Sequence, residues 1–176
     1  ELYAPKGIGA LVMRKRNGRD RAPLTPLMYG GGQERGLRPG TIPVALAAGL
    51  GEASRLAIVE HAQRTRQAMA VEETVIDFIQ AAGGTINGDR TKSIPQIVNA
   101  SFKGLDSEAF IVATKSLIAV SNGAACSSHA YERSHVLEAM QLEPWQVGGA
   151  VRFSFSHESV FPDATELARI IDSMRF

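Results

Sequence analysis

Apolar residues recur at spacings of three and four from Pro43 to about Ala82, and this periodicity predicts helical structure over the range. Gly83-Gly84 is expected to end it, because glycine readily adopts the left-handed conformation that follows a helix. Nearer the start, the apolar stretch from Gly7 to Met13 predicts a short strand. The apolar positions behind the helical prediction are Leu46, Leu50, Ala53, Leu56, Val75, Phe78 and Ile79.

The second half of the chain alternates between strand and helix patterns, which predicts an α+β domain. No internal repeat or low-complexity tail interrupts the alternation. The last helix is expected to face inward with Leu167, Ile170, Ile171 and Met174. The segments expected are a strand Pro95 to Phe102, a helix Ser107 to Ser116, an apolar run Leu117 to Val120, a helix Ser134 to Met140, a strand Ala150 to Ser156 and a helix Asp163 to Arg175.

The strand expected at Gly7 to Met13 needs hydrogen-bonding neighbours, and the hundred or so residues after it offer few strands to supply them. We therefore expect that a longer N-terminal part completes the sheet. The segment from Tyr29 to Gly36 carries too many glycines for regular structure and is expected to form a loop.

Composition excludes some classes of protein. The chain has 176 residues, of which 44% are hydrophobic, but no stretch approaches the roughly 20 apolar residues of a membrane span. Its start has no signal-peptide layout, so the cytoplasm is the expected location. The formal charge of +1 argues against nucleic acid or an anionic membrane as the main partner. The basic run Arg14 to Arg21 has no interleaved aromatic residues and is interpreted as a solvated turn.

Cys126 is the single cysteine, so an intramolecular disulfide is excluded. It stands among Gly, Ala and Ser between a predicted strand and a predicted helix, in a segment that suits an exposed nucleophile. The residues alone leave an inert buried cysteine and a surface thiol as alternatives. The four histidines have no metal-ligand spacing, and no metal is expected.

Two further segments contain residues that could bind an anionic ligand. From Met28 to Thr41, glycines can expose backbone N–H groups to an anion and a nearby hydroxyl can complete a phosphate cradle, although a surface turn explains the glycines equally well. Arg152 stands among apolar residues of a predicted strand, where a guanidinium needs a carboxylate or an equivalent partner. That partner is either an internal acidic residue or a substrate.

Together these segments resemble the NifS/IscS-like (group I) cysteine desulfurases of the class V aminotransferase family. Ser121-Asn122-Gly123-Ala124-Ala125-Cys126-Ser127-Ser128 resembles the family's active-site loop, with Ala124 where many members have serine. Gly30-Gly31-Gly32-Gln33-Glu34-Arg35-Gly36-Leu37-Arg38-Pro39-Gly40-Thr41 resembles the family's glycine-rich signature, and Arg152-Phe153-Ser154 its Arg-x-Ser strand. The resemblance covers nearly the whole chain.

The resemblance implies the C-terminal part of a pyridoxal-phosphate-dependent transferase of fold type I, an α/β fold. Residues 1–55 would end the large cofactor-binding domain and its sheet and begin the linking helix. Residues 56–176 would form the small α+β domain that carries the catalytic cysteine loop. Cys126 would carry sulfur from L-cysteine as a persulfide and pass it to an acceptor protein. Arg152 would hold the substrate carboxylate. Thr41, with Gly31 and Gly32, would reach the cofactor phosphate of the other subunit of a homodimer.

The family motif also indicates that the cofactor lysine is not present in this chain. Tyr3-Ala4-Pro5-Lys6-Gly7 matches the stretch that follows the family's cofactor lysine, and Glu1 stands where that lysine is expected. Without a Schiff-base lysine the chain alone is expected to be inactive. A non-catalytic sulfur carrier or dimer-interaction subunit that uses Cys126, and a truncated fragment without function, are the alternatives. The residues do not choose among iron–sulfur clusters, tRNA thiolation and DNA phosphorothioation as the sulfur's destination.

Overall fold

The structure is a computed structural model that describes residues 2–13, 24–122 and 134–175. The chain divides into two compact units, residues 1–61 and 62–176. The helices and strands, in chain order, are α1 Val44–Val59, α2 His61–Ala81, β1 Thr85–Ile86, β2 Ile97–Ser101, α3 Ser107–Thr114, α4 His135–Ala139, α5 Pro144–Gly148, β3 Ala150–Ser154 and α6 Ala164–Met174.

The first unit packs an irregular N-terminal segment beside α1. A side chain on Gly49 would lie 2.7 Å from Cγ of Pro5, so the glycine permits the close approach. The strand predicted from Gly7 to Met13 is not formed in the structure, because these residues have no strand partner among the described residues and lie in an irregular, mostly exposed segment. Apolar composition alone does not make a strand without a neighbour to share its hydrogen bonds.

The helical range predicted from Pro43 to Ala82 contains two helices rather than one. Glu60, between them, has ψ near 0°, and its amide donates to the carbonyl of Leu56 at 2.9 Å. Neither glycine nor proline marks this break, so the periodicity could not reveal it. The predicted end is confirmed, since Gly83 has a φ of +65° and the amide of Gly84 donates to the carbonyl of Ile79 at 2.8 Å, which closes the helix with a Schellman motif.

The second unit is built on a three-stranded antiparallel sheet in the order β1-β2-β3. Its strands alternate, so that Val98 and Ala100 of β2 and Val151 and Phe153 of β3 face one side. That side packs against α2, α3 and α6. The buried core consists of Val75, Ile76, Phe78, Ile79, Ala82, Val98, Ala100, Phe102, Leu105, Phe110, Val151, Phe153, Leu167 and Ile171, with Ile170 and Met174 packed at its margin.

The elements of the second unit match the predicted order, with differences at their ends and two additions. Strand β3 stops at Ser154, and the apolar run Leu117 to Val120 is not a strand. The short strand β1 and the one-turn helix α5 were not predicted, because two residues and five residues are too few for a periodicity to show. Among the described residues no helix is both long enough and apolar enough to span a membrane.

Candidate functional site

Arg152 lies in the middle of β3, between two buried core residues, Val151 and Phe153. Because side chains alternate along a strand, its guanidinium lies on the opposite face of the sheet from the core. The residue is half-buried, and its Nε is fully buried with no hydrogen-bond partner among the described residues. A buried charged donor without an acceptor is costly, so this atom indicates a place for an anionic ligand.

The backbone of Arg152 is paired with Ser121. The amide of Arg152 donates to the carbonyl of Ser121 at 2.6 Å, and the amide of Ser121 donates back to the carbonyl of Arg152 at 3.2 Å. The segment that leads to Cys126 is therefore anchored on the strand that carries the arginine. Cys126 itself lies outside the described residues, and its predicted role stays a prediction.

Across the sheet from Arg152, β2 contributes Asn99, which is paired with it in the strand register. Asn99 accepts a hydrogen bond from the Asn87 side chain at 2.7 Å, and the Asn87 backbone amide donates to the Asn99 carbonyl at 2.8 Å. Ser121, Arg152, Asn99 and Asn87 thus form a continuous row of polar residues across one face of the sheet, which we call the polar row.

Asn99 was not among the site residues predicted from the sequence, although the strand that contains it was predicted. The signal available was an asparagine in an otherwise apolar run, Ile97 to Ala100. The hydrogen bond that orients the Asn99 amide comes from Asn87, and the Asn87 amide is in turn bonded to Gln146. Both partners are distant in sequence, so the local pattern alone could not reveal these bonds.

The glycine-rich segment forms a closed loop in the first unit. The amide of Gly36 donates to the carbonyl of Gly32 at 3.1 Å, within a single 3-10 turn over Gln33–Gly36. The side-chain oxygen of Gln33 accepts from the amide of Gly40 at 3.2 Å, which brings the two ends of the loop together. A side chain on Gly31 would overlap the side-chain amide of Gln33, so glycine at position 31 leaves room for the Gln33–Gly40 hydrogen bond.

The loop contains backbone strain. Glu34 and Arg35 are consecutive non-glycine residues with φ of 49° and 59°, a conformation that costs about 1 kcal/mol or more per residue. Strain of this kind persists only where the surrounding contacts hold it. The Gln33–Gly40 hydrogen bond is one such contact.

The loop fits the phosphate end of pyridoxal phosphate. Thr41 follows the closure directly and is exposed, so its hydroxyl is accessible to an anion. A Cβ built on Gly32 would meet nothing within 4 Å, so the backbone there lies beside open space. Gly31, Gly32 and Thr41 are therefore brought together in one loop of the first unit, while Arg152 belongs to the second. No group of three His, Cys, Asp or Glu side chains in the described ranges is placed to hold a metal ion.

Known proteins resemble the chain over most of its length. Residues 1–167 match the aminotransferase class-V family. A relative from Vibrio cholerae serotype O1, cysteine desulfurase IscS, is 39% identical over 180 residues, which cover 99% of this chain and 44% of the relative. The chain thus spans less than half the length of this relative.

Solved structures agree with the sequence match. DndA from Streptomyces lividans superimposes with a TM-score of 0.68 at 37% identity, covering 88% of this chain and 44% of DndA. The structure described as SspA in complex with cysteine gives a TM-score of 0.53 at 28% identity, covering 78% of this chain and 37% of SspA. The predicted fold class, part of the type I fold of pyridoxal-phosphate-dependent enzymes, is confirmed. The chain belongs to the aminotransferase class-V family.

Proposed function

We propose that the chain is the C-terminal part of a pyridoxal-phosphate-dependent cysteine desulfurase, which converts L-cysteine to L-alanine and retains the sulfur on Cys126. The observation that carries this proposal is the buried Nε of Arg152, which has no hydrogen-bond partner among the described residues and lies on a strand that also anchors Ser121, five residues before Cys126. A donor for a carboxylate and a nucleophilic thiol then belong to one site.

Arg152 would bind the carboxylate of L-cysteine. A guanidinium presents N–H donors in a planar fork that matches the two carboxylate oxygens, and such bonds are short and charge-assisted. The neighbours Val151 and Phe153 are buried, so the strand holds the arginine backbone rigidly. Substrate binding would supply the acceptor that Nε lacks in the described ranges of the chain.

Thr41, Gly31 and Gly32 would hold the phosphate of the cofactor through the Thr41 hydroxyl and backbone N–H groups. In the family this loop reaches the cofactor of the other subunit, so we also propose a homodimer. Pyridoxal phosphate, when bound, supplies an electron sink for charge that develops at the α-carbon of the substrate.

Cys126 would then take the sulfur. Its thiolate attacks the substrate sulfur, an S–S bond forms, and the bond between that sulfur and the substrate β-carbon breaks. The electron pair of the broken bond stays with the carbon, which gains a proton and leaves as alanine. The protein is left with a persulfide for transfer to an acceptor protein, and we propose the cytoplasm as the location.

The comparisons support the chemistry at the level of relatives. The Vibrio cholerae relative is named a cysteine desulfurase, and SspA was solved with cysteine bound. A second candidate function, a non-catalytic sulfur carrier, is favoured by one observation, that Glu1 stands at the position of the expected cofactor lysine. For the same reason we propose that the chain by itself does not turn over L-cysteine.

The test is the release of sulfide and alanine from L-cysteine, with pyridoxal phosphate and a reducing thiol, by the 176-residue chain alone and together with the segment that precedes it in full-length relatives. We expect release only from the combination, and none after Cys126→Ser. Release by the chain alone would contradict the role assigned to the missing lysine. A persulfide on Cys126 that forms only when a separate desulfurase is present would favour the carrier instead.

A further inference from the structure

A relay of hydrogen bonds crosses the second unit from α5 to β2. The backbone amide of Glu143 donates to Oε1 of Gln146 at 3.1 Å, and Nε2 of Gln146 lies 3.4 Å from Oδ1 of Asn87. The Nδ2 of Asn87 then donates to Oδ1 of Asn99 at 2.7 Å. Because a backbone N–H can only donate, the first bond determines the direction of all the others.

A second set of bonds imposes the same direction on Asn87. Ser101 is fully buried, and its hydroxyl donates to the backbone carbonyl of Gln146 at 2.7 Å. With its hydrogen committed, the Ser101 oxygen can only accept, and Nδ2 of Asn87 donates to it at 2.7 Å. Two independent partners therefore hold the Asn87 amide in one orientation.

The orientation of Asn87 determines which group of the Asn99 amide remains unoccupied. Its Oδ1 is occupied by Asn87, so the group left on the polar row is Nδ2, a donor. Arg152 is directly opposite, and its own backbone hydrogen bonds go to Ser121 on its other side. Asn99 and Arg152 are thus a non-hydrogen-bonded pair of an antiparallel ladder, in which Cα atoms are about 4.5 Å apart and the side chains are closest.

Two donors are therefore fixed side by side on one half-buried surface. A guanidinium and an amide N–H₂ cannot satisfy each other, and Nε of Arg152 has no partner within the described part of the chain. Donors gathered in this way favour an anion with more than one acceptor oxygen, as a carboxylate has.

We propose that Nδ2 of Asn99 is a second donor to the substrate carboxylate that Arg152 binds, and that Gln146 and Asn87 are positioning residues which keep the amide in this orientation. The inference rests on the proposed function. It adds a substrate contact from β2 and explains why a relay of amides with a single direction ends beside the arginine.

The test observes the two donors directly. In ¹⁵N-correlated NMR spectra of the full chain, the Arg152 Nε–H and the Asn99 N–H₂ signals are followed while L-alanine is added, and L-alaninamide, which lacks the carboxylate, serves as the matched ligand. We expect L-alanine to shift both sets of signals and L-alaninamide to shift neither. Asn99→Ala should weaken L-alanine binding about tenfold while the Arg152 signal still responds.

The relay is tested with Asn87→Asp. A carboxylate at position 87 can still accept from Nε2 of Gln146 but cannot donate to Asn99 or Ser101, so the Asn99 amide turns to donate to it and presents its oxygen to Arg152. We expect about tenfold weaker L-alanine binding and an altered Asn99 signal even without ligand. Gln80→Glu, on an exposed position of α2, makes the same change of charge and should leave both unchanged.

The outcomes separate this inference from the proposed function. If L-alanine shifts Arg152 but not Asn99, Asn99 is not a ligand and the inference is wrong, while the role of Arg152 stands. If neither signal moves, both carboxylate assignments are wrong, and sulfide release still decides the desulfurase proposal separately. The wild-type titration needs no variant, so a variant that fails to fold does not remove the test.

Discussion

Arg152 illustrates how much a single residue can indicate when its surroundings are known. Its neighbours along β3 are core residues, yet its guanidinium lies on the other face, where Nε is buried and no described residue supplies an acceptor. An internal salt bridge was the alternative for this residue from sequence alone. No ion pair of Arg152 is present among the described residues, which favours an external carboxylate.

Arg152→Lys is expected to weaken L-alanine binding about tenfold or more, because an ammonium group cannot make two parallel hydrogen bonds to a carboxylate. The dissociation constant can be measured from the shifts of β3 backbone amides during a titration. Arg169→Lys, at an exposed site on α6 that pairs with Glu166 at 3.0 Å, is the matched control and should bind normally. Equal affinity of the two variants would mean that a point charge is sufficient.

At this scale the sequence predicts residue types better than their orientation. Arg152, Thr41 and Cys126 were identified because their motifs are contiguous, and their roles stay predictions. Asn99 was missed because its importance depends on which amide atom faces the arginine. That direction is determined by a backbone amide 44 residues away, at Glu143, which no local pattern contains.

At the scale of elements, the starts of two helices follow from short polar signals. Asp106 begins α3, and its carboxylate accepts from the amides of Glu108 and Ala109 at 2.9 and 3.0 Å. Asp163 caps α6 in the same way through the amide of Thr165. These caps satisfy amides that the first helical turn would otherwise leave without partners.

Asp106→Ala is expected to lower the free energy of unfolding by about 1 kcal/mol, because α3 loses both side-chain hydrogen bonds at its start. Asp106→Asn keeps a side-chain oxygen acceptor and should cost much less. Urea denaturation followed by circular dichroism measures both. A loss of the same size in the two variants would show that charge rather than capping matters at this position.

The stability of the fold is expected to depend on pH through Asp89. Hydrogen bonds from the Thr91 hydroxyl and the Thr91 amide, with a smaller contribution from Lys92, lower the pKa of Asp89. A lowered folded-state pKa stabilises the fold above the ordinary aspartate pKa of about 3.9, and this stabilisation is lost as the pH falls through the lower folded value. The stability difference between wild type and Asp89→Asn should therefore shrink as the pH is lowered through that window. A difference that is constant with pH would contradict the assignment.

The element scale also shows where sequence patterns fail. Long periodic segments such as α2 and α6 were found, because many residues contribute to the period. The break at Glu60 was not predicted, because it depends on a single backbone angle, and the strand predicted from Gly7 to Met13 is not formed, because no partner strand lies beside it among the described residues. Both are properties of tertiary structure.

At the scale of the whole molecule, the second unit is held by one continuous core. Phe110 of α3 and Phe102, just after β2, are fully buried, as are Leu167 and Ile171 of α6. The sheet, α2, α3 and α6 therefore share one set of apolar contacts, and the polar row lies on the opposite face of the sheet. The antiparallel pairing of β2 with β3 above this core holds Arg152 and Asn99 in register.

Phe110→Ala is expected to cost about 3–5 kcal/mol, because it leaves a cavity in this core. Val112→Ala, two residues along α3 and 65% exposed, should stay within about 0.5 kcal/mol of wild type. Thermal and urea denaturation of both variants measure the difference. Similar small effects would indicate that α3 is not part of the cooperative unit.

The pairing of Ser121 with Arg152 limits how far Cys126 can lie from this strand. The backbone of Ser121 is paired with Arg152, and Cys126 lies five residues further along the chain. A fully extended chain spans at most about 3.6 Å per residue. The Cα atom of Cys126 therefore stays within roughly 18 Å of the Cα atom of Ser121 while this pairing holds. If Cys126 carries sulfur as proposed, an acceptor protein has to place its receiving atom close to this range, so the surface that surrounds Ser121 limits which acceptors can dock closely enough.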